Sequence, residues 1–238
     1  MILLALDTCD SRGSLAVLRN EEVLTVIAHE GTTDYSSWVL PTAEAALHAS
    51  GLGLTEVDVF AVASGPGSFT GVRIGLTTVK AWSEAFGKKV ASVSRLEAMA
   101  AQSPDDREYV AAFADAHRDQ VFGGLYQREG MGARLVGQEM VAAPAEFLHW
   151  VNEHSANRPV GWISPDPDKV TVLEEWQRRA KDGLRIELSS SVLAPIIGKI
   201  GLRRAHEGRL VDALALDAEY IRRPDAETFW KGATGRGR

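Results

Sequence analysis

Short apolar runs alternate with polar breaks along the first part of the chain. Three apolar runs of strand length lie close enough together to predict an antiparallel meander: 2–7, 14–19 and 22–29. A helical period follows from Ser36 or Ser37 to Ser50 and stops at Gly51. The next elements predicted are strand 57–63, helix 69–86 and a short strand near 90–93. Together these elements predict one α/β lobe.

A second lobe is predicted after the polar stretch 102–107. It has strand patterns at 109–114, 119–126 and 134–141 and helical patterns at 144–154, 168–181 and 190–207. The predicted organisation is therefore an N-terminal lobe, a C-terminal lobe and a tail, with bounds 1–103, 104–223 and 224–238.

A glycine-rich segment, 63–75, joins the predicted strand 57–63 to the helix that follows it. Its glycines at 67, 71 and 75 recur every four residues, which leaves one face without side chains and permits close backbone contact. The segment lacks the lysine and paired hydroxyl of a Walker sequence, so the pattern does not support that type of phosphate loop.

The helix at 69–86 carries more apolar and small surface than one sheet can cover, and the helix at 37–50 has a lighter version of the same pattern. Two such neighbours form a candidate docking surface, although they could equally cover each other within one monomer. The candidate interface residues are Val39, Leu40, Ala43, Leu47, Gly71, Val72, Gly75, Leu76, Val79 and Trp82.

Composition narrows the functional class. The 238 residues carry a formal net charge of −6, which argues against nucleic-acid binding by the whole surface, although the C-terminal stretch from Lys199 is locally basic. A single cysteine excludes an internal disulfide, and no apolar window approaches the roughly 20 residues of a membrane span. We expect a cytoplasmic protein. The aromatic and basic residues near the C-terminus could stack on unpaired bases, but aromatic residues in a tail more often pack it onto the body.

Several segments in order resemble the bacterial TsaB family: 3–11, Leu40-Pro41, 63–75, 87–94 and 115–118 before Tyr126. The resemblance implies a two-lobed actin/hexokinase/Hsp70-like (ribonuclease H-like) α/β fold with duplicated mixed-sheet domains. It also implies a non-catalytic scaffold that activates a threonylcarbamoyl transferase (TsaD-type) in forming threonylcarbamoyladenosine next to the anticodon of tRNA. Family members use the two helices above to pair with that subunit.

The same resemblance implies further partners. These are an ATPase-type subunit (TsaE-type), a synthase that supplies threonylcarbamoyl-adenylate, and tRNA reached only through the complex. It implies no cofactor and no membrane, and we expect a homodimer when the chain is alone, because a two-fold interface can reuse one patch.

The catalytic paralogue in that system carries a His-x-x-x-His pair that binds a metal. Arg95 and Met99 stand at the corresponding positions here. Arginine cannot lose its proton to become a ligand, and a thioether is a poor ligand for a hard metal. The resemblance therefore predicts that the metal site of the family is lost.

The alternative hypothesis is an ATP-dependent phosphotransferase or ATPase of the same superfold. In that case Asp7 would organise a metal, and Asp7, Thr8 and Ser11 would form a nucleotide-binding site, at least a vestigial one. A second carboxylate at Asp10 disfavours a triphosphate unless a metal intervenes. The simpler interpretation is that Asp7 caps its own turn at the strand end.

Overall fold

The computed structural model describes residues 1–29, 33–129, 132–181, 183–217 and 221. The predicted tail, 224–238, lies outside this part of the chain. Among the described residues no helix is both long and apolar enough to cross a membrane.

The first sheet is built by the meander and the two strands that follow it. Its strands are β1 (Ile2–Asp7), β2 (Ser14–Arg19), β3 (Glu22–Ala28), β4 (Val59–Ala63) and β5 (Lys89–Val93). They lie in the order β3-β2-β1-β4-β5, with the meander antiparallel and β1, β4 and β5 parallel. All five strands were predicted.

The second sheet repeats this topology. Its strands are β6 (Tyr109–Asp115), β7 (Val121–Glu129), β8 (Gly132–Ala142), β9 (Val160–Ser164) and β10 (Ile186–Leu188). The order β10-β9-β6-β7-β8 again combines an antiparallel meander with two parallel strands on the other side of its first strand, β9 beside β6 and β10 beside β9. The duplicated mixed-sheet α/β fold is confirmed, although the sequence did not predict β9 and β10.

Helices cover both sheets. They are α1 (Tyr35–Ala49), α2 (Phe69–Phe86), α3 (Arg95–Gln102), α4 (Pro144–His154), α5 (Asp168–Thr171), α6 (Glu174–Ala180) and α7 (Ala194–His206). Helices α1 and α2 contact one another and pack on one face of the first sheet. The bounds of α2 and α4 agree with the prediction, whereas α3 was missed and the pattern at 168–181 is two short helices.

Two helices cross between the lobes. Helix α3 follows the first sheet in sequence but packs against the second, and α7 follows the second but packs against β1, β2, β4 and β5 of the first. A Cβ atom on Gly201 would lie 2.9 Å from the Cβ of Ala61, so this glycine lets α7 approach the sheet closely. The predicted boundary near residue 103 separates the strands of the first sheet from those of the second. Helices α3 and α7, however, each pack on the sheet of the other lobe.

The second sheet is buried on both faces, as the alternation along β6 shows. Tyr109, Ala111 and Phe113 face a core shared with α4, while Val110 and Ala112 face the larger core shared with α3, α7 and the first sheet. One continuous core therefore joins the two lobes.

Candidate functional site

The β1–β2 hairpin forms the centre of the candidate site. Asp7, at the end of β1, is fully buried, and its Oδ1 accepts a hydrogen bond of 2.9 Å from the backbone N–H of Cys9. This bond confirms the simpler interpretation of Asp7 as the cap of its own turn. At the tip, the Tyr35 hydroxyl donates to the carbonyl of Asp10 and accepts the N–H of Gly13, so α1 holds the hairpin closed.

The Arg95 guanidinium lies between two carboxylates of this hairpin. Its Nη2 donates to Asp10 Oδ2 at 2.7 Å, and its Nε lies 3.5 Å from Asp7 Oδ2. The Arg95 side chain is 5% exposed and comes from the first turn of α3, which the Ser94 hydroxyl caps by accepting the N–H groups of Leu96 and Glu97. A cation of the chain itself therefore contacts both acids.

Electrostatics keep Asp10 and Arg95 ionised. Burial alone would raise the pKa of Asp10, but the charge and hydrogen bond of Arg95, assisted by Arg12, hold that pKa well below its usual range. Burial would lower the pKa of Arg95, and Asp7 and Asp10 more than reverse this, so its pKa lies above the usual value. The ion pair between Asp10 and Arg95 is thus present at neutral pH.

The glycine-rich turn packs directly on the hairpin. The Thr8 hydroxyl donates to the carbonyl of Gly71 at 2.6 Å, and the Ser68 N–H donates to the carbonyl of Cys9 at 2.7 Å. A Cβ atom on Gly71 would lie 2.0 Å from the Thr8 carbonyl oxygen, and one on Gly67 would lie 2.1 Å from that of Cys9. The predicted close backbone contact of the glycine turn is confirmed.

The predicted nucleotide-binding residues do not form an open site. Asp7 and Thr8 are buried and bonded within the fold, whereas Ser11 is exposed and donates to Asp10 Oδ1. With Arg95 against the carboxylates and the glycine turn against the hairpin, these residues do not fit a magnesium nucleotide. Among the described residues no group of three or more His, Cys, Asp or Glu side chains could hold a metal ion.

The predicted interface residues require a correction. Nine of the ten are buried within the monomer: Val39, Ala43, Leu47, Gly71, Val72, Gly75, Leu76, Val79 and Trp82. The seven apolar side chains of this set hold α1 and α2 on the sheet, because a helix places its apolar stripe on the nearest core, and the two glycines allow α2 to approach Thr8 closely. Leu40 is 56% exposed and Phe69 is 41% exposed. The Arg73 guanidinium lies 3.7 Å from the centre of the Phe69 ring. These residues are exposed on the helix pair.

Opposite the first hairpin, the β6–β7 hairpin brings a second group of charges to the cleft between the lobes. Arg12 Nη2 lies 3.8 Å from Asp166 Oδ1, and the other oxygen of Asp166 accepts the N–H of Asp115 at 2.9 Å. Asp115 also pairs with Lys169 at 3.1 Å. The sequence did not signal Asp166 or Lys169, because they join the cleft only through the pairing of β9 with β6.

His117 belongs to the turn of the β6–β7 hairpin. Its side chain is 87% exposed, and its backbone N–H donates to Asp115 Oδ1 at 2.7 Å. The backbone adopts positive φ at His117, Arg118 and Asp119. These features are those of a tight turn in which the backbone N–H of His117 is satisfied by Asp115.

A cavity of about 740 Å³ lies beside α3, away from the hairpin tip. Its lining includes Ser94, Glu97, Tyr126, Glu139 and Arg204. Glu139 accepts hydrogen bonds from the hydroxyls of Ser94 and Tyr126, while Glu97 pairs with Arg204. These contacts join α3 to the second sheet and to α7, and the sequence analysis did not identify them.

Known proteins resemble the chain over almost its whole length. The family model for TsaD, tRNA N6-adenosine threonylcarbamoyltransferase, matches residues 26–169, more than half of the chain. The tRNA threonylcarbamoyladenosine biosynthesis protein TsaB of Bacillus subtilis is 27% identical over 97% of this chain and 98% of that protein. The TsaB protein of Haemophilus influenzae is 28% identical over 99% and 98%.

Solved structures give the same result. YeaZ from Pseudomonas aeruginosa superposes with a TM-score of 0.70 at 26% identity, covering 92% of this chain and 99% of that one. A TM-score of this size over nearly the full length of both chains indicates the same overall fold. The chain therefore belongs to the TsaB family, within the wider group that the transferase model describes.

Proposed function

We propose that this chain is a non-catalytic subunit of the machinery that makes threonylcarbamoyladenosine on tRNA. The observation that carries the pathway is full-length likeness to proteins named for that biosynthesis in Bacillus subtilis, Haemophilus influenzae and Escherichia coli. A subunit with this role would work in the cytoplasm, as its composition also led us to expect.

The packing of the glycine turn supports the non-catalytic role. A nucleotide-dependent enzyme of this fold needs backbone N–H groups free to meet phosphate oxygens. Here the Ser68 N–H donates a hydrogen bond to the carbonyl of Cys9, and the Thr8 hydroxyl donates one to the carbonyl of Gly71. These two bonds favour the scaffold role over the alternative phosphotransferase hypothesis.

We infer that the chain binds a TsaD-type transferase and stabilises the conformation in which that transferase is active. Such activation requires only that this subunit bind one conformation of the partner more tightly than another. We place the interface on the exposed side of α1 and α2, where Leu40 and the Phe69–Arg73 pair present apolar and cationic surface. Aromatic and arginine side chains are the residue types that dominate binding energy at interfaces.

We extend the proposal to the assembly. The same α1–α2 surface would pair two copies of this chain when the transferase is absent, and a TsaE-type ATPase and tRNA would join through the complex. Because one patch serves both pairings, the homodimer and the heterodimer would exclude one another.

Size-exclusion chromatography with light scattering tests this assignment. Wild-type chain should change from homodimer to heterodimer when the transferase is added. Leu40→Asp places a charge on the exposed surface without entering the core, so we expect at least a tenfold loss of affinity for the transferase, about 1.4 kcal/mol or more. Val172→Asp is the matched control, since Val172 is 68% exposed but lies in the second lobe.

A second readout separates docking from activation. Adding the wild-type chain to the transferase, with its substrates and tRNA, should increase formation of the modified adenosine, and Leu40→Asp should require more protein for the same increase. Equal binding by Leu40→Asp and wild type would show that α1 is not the interface. A chain that never associates with the transferase would contradict the scaffold role itself.

A further inference from the structure

Two carboxylates lie at the end of β1 in a position that requires a positive partner. Asp7 is fully buried, and the Asp10 side chain is 21% exposed. Burying a carboxylate costs several kcal/mol unless a cation and hydrogen bonds compensate it. Proteins that hold a ligand between paired acids commonly meet this requirement with a bound metal ion.

In this chain the compensation comes from Arg95. The guanidinium reaches both acids from the start of α3, with 2.7 Å to Asp10 and 3.5 Å to Asp7. Asp7 Oδ2 and Arg95 Nε, both buried without a hydrogen-bond partner among the described residues, lie opposite each other in that second contact. Each is therefore compensated mainly by the charge of the other.

We propose that Arg95 is a built-in cation that fixes the β1–β2 hairpin in its packed conformation, so that the hairpin needs no bound metal ion or nucleotide to be ordered. Helix α3 supplies the guanidinium and also packs on the second sheet. Consequently the same residue ties the hairpin of one lobe to a helix held by the other.

Two connections fix the position of Arg95 itself. The Arg95 N–H donates to the carbonyl of Gly65 at 2.6 Å, which links it to the start of the glycine turn. Ser94 caps α3 and donates to Glu139 on β8. The guanidinium is thus held from its own backbone as well as by the acids, which distinguishes it from a flexible surface arginine.

Thermal unfolding of the full chain tests the proposal. At pH 7, Arg95→Ala leaves buried Asp7 without a cationic partner and leaves Asp10 with Arg12 alone, so we expect its Tm to fall by about 10 °C. Millimolar methylguanidinium or MgCl2 should recover part of that loss, whereas NaCl at equal ionic strength should not. Wild-type Tm should not respond to either cation, because Arg95 already occupies the position.

Two further variants keep the test decisive. Arg95→Lys retains the charge, so its Tm should fall by less than half as much as the Tm of Arg95→Ala. If the alanine variant does not fold, the lysine variant should still fold. Arg204→Ala is the matched control. It removes another largely buried guanidinium, but its partner Glu97 still pairs with Arg203 at 3.1 Å. We expect no cation-dependent recovery for this variant.

Three results would overturn the proposal. The first is an Arg95→Ala variant as stable as wild type. The second is an Arg95→Lys variant as unstable as Arg95→Ala. The third is a Tm loss in Arg95→Ala that no cation restores. Recovery of Tm by the same cations in the Arg204→Ala control would also overturn the proposal. Transferase binding does not enter these measurements, so their outcome is separate from that of the proposed function.

Discussion

At the scale of single residues, the contact between helix α2 and the β1–β2 hairpin depends on the absence of a side chain at Gly71. Helix α2 approaches the hairpin so closely at this position that the Gly71 carbonyl accepts the Thr8 hydroxyl at 2.6 Å. The atom that a methyl group would meet is a backbone carbonyl oxygen, 2.0 Å away, which cannot rotate aside. The close contact therefore requires glycine because glycine has no Cβ atom, and not because its backbone is flexible.

Gly71→Ala should therefore destabilise the chain by roughly 2–3 kcal/mol, because α2 must shift away from the hairpin. Gly53→Ala is the matched control, since its new Cβ atom would lie 3.6 Å from the nearest side-chain atom. We expect that change to stay within about 0.5 kcal/mol of wild type. Urea unfolding measures both free energies. Equal losses for the two variants would contradict the close-contact account.

At the scale of elements, local signals explain which helices and strands could be predicted. Helix α2 has a serine N-cap at Ser68 and ends at Gly87, whose φ of 62° suits glycine, so both of its ends were readable. Helix α3 is short and was missed, although Ser94 and Glu97 have the spacing of a capping box. Strand β9 is a brief apolar run that periodicity cannot distinguish from a helix.

The predicted site shows the same division. The four-residue spacing of the glycines was enough to predict their close approach to a backbone, whereas the position of Arg95 in place of a metal ligand was implied only by the family resemblance. The sequence could not show that Arg95 pairs with Asp10, 85 residues away, because α3 itself was not predicted. Nor could it decide which face of α1 and α2 is buried, since both faces carry small and apolar residues.

The cap of α3 gives a prediction at this scale. Ser94→Ala removes the acceptor for two N–H groups and the donor to Glu139, so we expect a loss of about 1–2 kcal/mol in urea unfolding. Ser68→Ala is the comparison, because the Ser68 hydroxyl accepts a single longer bond of 3.4 Å from Gly71 and should contribute less. A larger loss at Ser68 would show that cap geometry does not set the stability of these helices.

At the scale of the whole molecule, the exchange of α3 and α7 between the sheets makes the lobes interdependent. Each sheet has one face covered by a helix from the other half of the chain. The larger core contains Leu3 and Val62 of the first sheet together with Val110 and Ile163 of the second. Neither lobe can therefore lose its packing without exposing apolar surface of the other, and we expect them to unfold together.

Leu148→Ala tests this cooperativity from the far side of the second sheet. Leu148 lies on α4, is fully buried, and belongs to the smaller core that the first sheet does not share. The cavity should cost about 2–5 kcal/mol, and in a cooperative molecule it should lower amide hydrogen-exchange protection in β1 as much as in β6. Val172→Ala, at a position 68% exposed in the same lobe, should change neither strand. Protection that falls in β6 while β1 stays unchanged would mean that the first lobe is stable by itself, and the shared helices would then join two independent units instead of one.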